Sequence, residues 1–204
     1  MKAGVVAILA AFALAGAASA NLMINAGFAT EGTGGAQDAA NWTEASSSGR
    51  EPWGSHDGDG FLMAAYGYTV GSTSGQFYQD VTGASEGLTY NLSYWHEGDA
   101  GWNGTATSIS LVWLDGVGSS VGTPVSFNLQ PYATESFSNR TLSGVAPAGT
   151  ATVRVQVDIT KLDGGAGAQK FDEFDLVAIP EPTTLSLLGL AIAGLMGLRR
   201  RNRS

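Results

Sequence analysis

The stretch Ala151-Thr-Val-Arg-Val-Gln-Val-Asp-Ile159 alternates apolar and polar residues without a break. A period of two fits an extended strand with one face buried, and it places Val153, Val155, Val157 and Ile159 on that face. Leu88, Tyr90, Leu92 and Tyr94 alternate in the same way with Thr89, Asn91, Ser93 and Trp95. Other short runs rich in Val, Ile, Thr, Tyr, Phe and Trp are set apart by Gly, Asn, Asp and Ser. They predict strands over 22–25, 60–66, 76–81, 89–95, 108–114, 124–129, 135–138, 151–159 and 170–178. No helical periodicity of useful length and no internal repeat occur between them. Nine short strands with turn signals between them make the chain all-β, a sandwich.

Both ends of the 204 residues carry other signals and are set aside before fold reasoning. The chain opens with Met1-Lys2, runs almost wholly apolar from Ala3 to Ala18, and closes that run with Ala18-Ser19-Ala20. One positive charge, an apolar run and a small-x-small site make residues 1–20 a secretory signal peptide, with cleavage expected after Ala20. Residues 21–179 then form one domain of ordinary size, able to bury a sufficient core without disulfides. Cysteine is absent, which excludes thiol catalysis, thiolate metal sites and a disulfide-stapled scaffold.

The C-terminal end has three features in fixed order. Pro180-Glu181-Pro182 stops any strand, an uncharged Leu/Gly/Ala run fills 183–198, and Arg199, Arg200, Arg201 and Arg203 follow. As a helix, 183–198 would span about 24 Å, short of a hydrocarbon core of about 30 Å. The arginines would stay on the cytoplasmic side as an anchor and leave the domain outside. That domain is acidic, with seventeen carboxylates against five bases between Asn21 and Ile179. Such a body repels phosphate backbones, so nucleic acid is not an expected partner.

Residues 180–204 resemble the PEP-CTERM sorting signal, also labelled the ice-binding protein C-terminal domain. The resemblance implies a substrate of an exosortase, held briefly in the inner membrane of a Gram-negative host. Processing near Pro180–Pro182 would deliver it to the cell surface or to an exopolysaccharide or biofilm matrix. The exported part has its own likeness. Asn21-Leu-Met-Ile-Asn-Ala-Gly-Phe28 with Trp42 after it, Ser55-His-Asp-Gly-Asp-Gly-Phe-Leu62, Phe77-Tyr-Gln-Asp-Val81 with Gly87-Leu-Thr-Tyr-Asn-Leu-Ser-Tyr94, and Lys170-Phe-Asp-Glu-Phe-Asp-Leu176 occur in order. Together they resemble jelly-roll β-sandwich domains of the galactose-binding and carbohydrate-binding-module type.

That likeness implies a structural Ca²⁺ joining the first and last strands through hard oxygen ligands. Asp172 and Glu173 match the acidic pair of the last strand. Ala29 stands where the first strand usually has its carboxylate, and Glu31 could replace it only by a shift of the loop. Asp57-Gly-Asp59-Gly60 lacks the remaining ligands of a calcium loop and reads as a turn. A glycan site would stack sugar faces on Trp or Tyr and bond hydroxyls with nearby polar groups. Trp53, Trp95, Trp102 and Tyr132 are the candidate contacts, set against the alternative that such aromatics fill the core. For catalysis, His56 and His96 have carboxylates beside them, but there is no His-Glu-x-x-His. A glycosidase carboxylate pair would have to be recognised in three dimensions. Sequons at Asn41, Asn91, Asn103 and Asn139 read as products of a composition rich in Asn, Ser and Thr. The sequence therefore points to a non-enzymatic envelope or matrix protein, with a lectin-like module or a secreted glycoside hydrolase as alternatives.

Overall fold

A computed structural model of the chain describes residues 20–44, 48–66, 74–102, 106–129, 134, 136–160 and 167–179. Residues 1–19, Tyr132 and 180–204 lie outside these, and with them the expected signal peptide, the Pro-Glu-Pro joint, the membrane segment and the arginine anchor. Among the described residues no helix is long and apolar enough to cross a membrane.

The described residues form eleven strands: β1 (Glu31–Gly32), β2 (Gly35–Ala39), β3 (Ser48–Glu51), β4 (Leu62–Tyr66), β5 (Ser74–Thr82), β6 (Thr89–Gly98), β7 (Ala106–Leu114), β8 (Val125–Asn128), β9 (Ser138–Val145), β10 (Thr152–Thr160) and β11 (Ala168–Ile179). One sheet has the order β3-β4-β11-β6-β9 and the other β5-β10-β7-β8, with β1-β2 as a small hairpin. All pairings are antiparallel. Two such sheets with one shared core form the jelly-roll β-sandwich that the sequence pattern indicates.

The alternation dictates what lies between the sheets. Val153, Val155, Val157 and Ile159 are fully buried from β10, and Tyr90, Leu92 and Tyr94 are buried from β6. At one end the rings of Phe28, Trp42, Phe77, Phe171 and Phe174 meet at centroid distances of 5.0 to 5.9 Å. Such tilted and edge-on pairs add about 0.5–1.5 kcal/mol each beyond the area they bury. Phe171 and Phe174 are three residues apart and would face opposite ways in a regular strand. A bulge in β11 resolves this: Asp172 pairs with Trp95 and Asp175 with Ser93, so one extra residue is accommodated there. Glu173 takes the strained position, with φ of 47°.

Arg50 fixes the long connection that precedes this ring cluster. Its buried guanidinium donates to the carbonyls of Phe28 (2.6 Å), Ala36 (2.9 Å) and Ala29 (2.9 Å) and lies 3.6 Å over the Phe61 ring. Two loop carbonyls and one from β2 thereby gain a charged partner.

Three expectations need correction. Residues 22–25 form no strand, because a single backbone bond to β11 and two side-chain amides, Asn21 and Gln79, satisfy their backbone in place of a ladder. Leu22 N donates to Leu176 O at 2.8 Å, while Gln79 bonds both the N–H and the carbonyl of Ile24, at 2.8 and 2.7 Å. This segment thus ties β11 of one sheet to β5 of the other. The strand expected at 135–138 runs over Ser138–Val145, where pairing with β6 overrides a Ser/Asn/Gly-rich sequence. The hairpin β1-β2 and strand β3 carry no strand-like residue pattern and form through tertiary pairing.

Truncating Phe171 to Ala should cost about 3–5 kcal/mol, since the ring is fully buried and touches Phe77 and Phe174. A fall in urea midpoint with an unchanged m-value is the expected result, and a loss below about 1 kcal/mol would contradict this packing.

Candidate functional site

The polar half of each alternating strand lies on the outside of the five-stranded sheet. Because β6 and β9 are in regular register, Asn91 stands beside Ser143, Ser93 beside Thr141, and Trp95 beside Asn139. On the other flank of β6, β11 places Val177, Asp175 and Asp172 beside the same three residues. Two clefts follow this array. One of about 450 Å³ is lined by Asn91, Ser93, Thr141, Ser143, Asp175 and Val177 among others. A second of about 410 Å³ includes Trp95, Asn139, Asp57 and Glu173. Ser93 and Asp175 line both, so the clefts join into one groove along β6.

Trp95 closes one end of this groove and is held there. The His56 ring stacks on the indole at 3.6 Å with an interplanar angle of 15°, and Phe137 meets the imidazole edge-on at 5.5 Å. His56 Nδ1 is 2.5 Å from Glu173 Oε2, and the His56 N–H donates to Asp172 Oδ2 at 2.8 Å. The sequence supplies the loop geometry: Asp57 Oδ1 accepts from Asp59 N and Asp59 Oδ1 from Phe61 N, two successive Asx turns. The stretch 57–60 is therefore the turn that its sequence indicates.

Asp172 is the most perturbed group nearby. Its carboxylate is fully buried and accepts from the N–H groups of His56 and Glu173. Burial pushes its carboxyl up to about 7, against the pull of those two donors, and the charges of Asp57 and Asp59 push the same way. The three carboxylates lie near one another around Gly27, where an added methyl would make ordinary contacts 3.8 Å from Asp172 Oδ1 and from Asp59 Oδ2 and 4.0 Å from Asp57 Oδ2. The expected calcium ligands are not gathered at one point. Glu173 is turned to His56, Asp172 is capped by backbone donors, and Glu31 is exposed on β1. Among the described residues no three His, Cys, Asp or Glu side chains form a group that could hold a metal ion.

A second constellation sits on the same outer face. Glu51 accepts from Trp53 Nε1 (2.9 Å), Gln37 Nε2 (2.9 Å) and the Tyr66 hydroxyl. Lys170 Nζ bonds Glu97 (2.5 Å) and Asp99 (3.0 Å) and stands 5.6 Å from the Trp53 ring. Trp53 is 42% exposed, which leaves ring surface free for a ligand. Trp102 is instead half-buried against the core, its indole nitrogen without a partner among the described residues. His96 is wholly buried, 2.6 Å from Gln169, and burial lowers its pKa to about 4.

The groove residues Asn91, Ser93, Asn139, Thr141 and Asp175 are not among the contacts expected from sequence. The available signal was the polar side of the 89–95 alternation, in which Trp95 shares a face with Asn91 and Ser93. A further pattern is resolved by the structure. Gly118-Ser-Ser-Val-Gly122 has the Gly-x-Ser-x-Gly spacing, but Ser120 lies exposed in the turn after β7, bridged to Leu114 and followed by β8. A nucleophile elbow needs a strand-to-helix turn, so this match carries no hydrolase site.

Residues 178–201 match the family model of the PEP-CTERM protein-sorting motif. No curated protein matches the chain in sequence. Among solved structures, the chain resembles the xylan-binding CBM22-1 domain of Paenibacillus barcinonensis Xyn10C, with TM-score 0.54, 16% identity, and coverage of 81% of this chain and 99% of that one. It also resembles TmCBM61, solved with β-1,4-galactotriose, with TM-score 0.51, 19% identity, and coverage of 80% and 100%. The enzymatically active domain of tailspike protein 4 from bacteriophage CBA120 matches at TM-score 0.60 and 17% identity over 78% of this chain, which spans 21% of that polypeptide. The chain thus combines a C-terminal PEP-CTERM motif with a jelly-roll β-sandwich whose fold is similar to that of carbohydrate-binding modules.

The perturbed groups give a pH signature. The Asp172 carboxyl is raised from its ordinary 3.8, so its stabilising effect is complete below that value and is lost as pH climbs towards 7. Glu44, raised to about 7 by burial, acts in the same sense, whereas His96 acts oppositely, losing stability as pH falls from 6.5 to about 4. In Asp172→Asn the stability lost between about pH 4 and pH 7 should therefore be smaller than in the parent protein, by a kcal/mol or more. Urea titrations across that range measure the difference, and parallel pH profiles would show that Asp172 ionises normally.

Proposed function

We propose that the chain is an exported, non-catalytic glycan-binding protein, sorted by an exosortase and retained at the cell surface or in an exopolysaccharide or biofilm matrix. The groove along β6 carries the binding part of this reading. It pairs an immobilised indole with a row of amides, hydroxyls and a carboxylate, the division of labour that sugar faces and sugar hydroxyls require. The sorting part rests on the motif at 178–201. In this reading residues 183–198 lodge briefly in the inner membrane, the arginines stay inside, and cleavage near Pro180–Pro182 releases the sandwich.

Three carboxylates of this face are engaged by protein groups, which supports binding rather than turnover. Glu97 is paired with Lys170, Glu173 with His56, and Glu51 is enclosed by three donors. Each is held by its partners rather than presented to a scissile bond.

A glycan array probed with the exported protein should show selective, saturable binding. Trp95→Ala should weaken it by about 1–3 kcal/mol, the scale of one lost aromatic–ligand contact, while Trp102→Ala should leave it unchanged once stability is matched. No binding to any glycan would remove this reading. Mass spectrometry of the mature protein tests the sorting: an N-terminus at Asn21 and no peptide from 185–198 are expected, and an intact tail in extracellular material would refute it.

A further inference from the structure

We infer that the groove selects a glycan carrying ammonium groups, that is, a polymer containing N-deacetylated amino sugars, and that Asp175 is its specificity-determining residue. The inference rests on the groove being the glycan site.

Charge along this open groove sets the preference. Asp57, Glu173 and Asp175 line the groove, and no lysine or arginine lines it among the described residues. Glu173 has His56 as a partner. Asp175 is exposed on the sheet face between Ser93 and the edge of both clefts, with no ion pair among the described residues. Neighbouring bases are committed elsewhere. Lys170 is bonded to Glu97 and Asp99, and Arg140 pairs in register with inward-facing Tyr94, so its side chain belongs to the other face of β9.

A polysaccharide bearing carboxylates would bring like charge into this cleft and be repelled. A neutral chain would meet Asp175 through hydroxyl hydrogen bonds alone, without the added attraction of an opposite charge. An ammonium group on a sugar adjoining Trp95 would reach a carboxylate while its ring contacts the indole. The whole domain favours the same ligand, since seventeen acids against five bases between Asn21 and Ile179 steer a polycation towards it.

Isothermal titration of the exported protein with three oligomers of equal length tests this: β-1,4-linked glucosamine, its N-acetylated counterpart, and oligogalacturonate. The glucosamine oligomer should bind at least about ten-fold more tightly than the N-acetylated one, and oligogalacturonate not at all. Its affinity should fall as pH rises through the amine pKa and as salt increases. Asp175→Asn should remove most of the preference without changing the thermal midpoint. Asp158→Asn, on the outer face of the other sheet, should retain it, and equal losses in both variants would reduce the effect to non-specific attraction and overturn the inference. Equal affinity for the amine and its N-acetylated form would also overturn it while leaving glycan binding intact. Absence of binding by all three, in a protein that binds a different glycan on an array, would refute the amino-sugar assignment alone. Absence of any glycan binding would remove the site itself.

Discussion

The single extra residue in β11 governs both halves of this molecule. Without the bulge, Phe171 and Phe174 could not both enter the core, and the ring cluster with Phe28, Trp42 and Phe77 would lose a member. The same irregularity sends Asp172 and Asp175 to the outside of the sheet and swings Glu173 towards His56. Core and groove are therefore two consequences of one backbone event. Its local cost, a non-glycine residue at positive φ, is offset by the packing and ion-pair contacts on either side.

Electrostatics separates the two faces of the sandwich. On the outer face of the four-stranded sheet, Asp80 is matched by Arg154 in a two-bond pair at 2.7 and 2.9 Å, with the guanidinium 3.8 Å over the Tyr78 ring. On the outer face of the five-stranded sheet, negative charge accumulates around Asp57, Asp59 and Asp172, and the raised carboxyls of Asp59 and Asp172 record both their desolvation and that accumulation. Structural ion pairs need compensation for every charge they bury, whereas a ligand site can leave charge for the ligand to meet. The sheet that carries the groove is the one with the larger excess of negative charge.

Much of this was legible from the sequence, for a definite reason. The alternations at 88–95 and 151–159 are long enough to fix strand, face and core together, and every residue expected inside from Val153 to Ile159 is fully buried. The acidic pair Asp172-Glu173 was visible as a pattern, but the sequence could not show that a bulge intervenes and turns the pair apart. The contact between His56 and Trp95 was beyond reach as well, because it joins a loop to a strand 39 positions away through ring stacking, which leaves no periodic trace. Trp102 illustrates the converse. It is a candidate sugar contact by residue type, yet its indole packs against the core beside Gly167, where a side chain would collide with the Trp102 backbone nitrogen at 2.8 Å.

The placement of β11 also links folding to sorting. This last strand is the centre of its sheet, flanked by β4 on one side and β6 on the other, and the N-terminal segment hangs on it through Asn21 and Leu22. Until it arrives, β4 and β6 lack their shared partner and Phe171 and Phe174 are missing from the core. Such non-local closure makes the sandwich complete only when nearly the whole exported chain is present. The sorting motif overlaps the end of that strand: it begins at residue 178, where Ala178 is still paired with Tyr90 and Ile179 with Thr89. The two overlap in sequence, so any chain that carries the whole motif also carries the final strand. A chain truncated before β11 would lack both a closed core and the motif, so the motif occurs only on chains that contain every strand the fold requires.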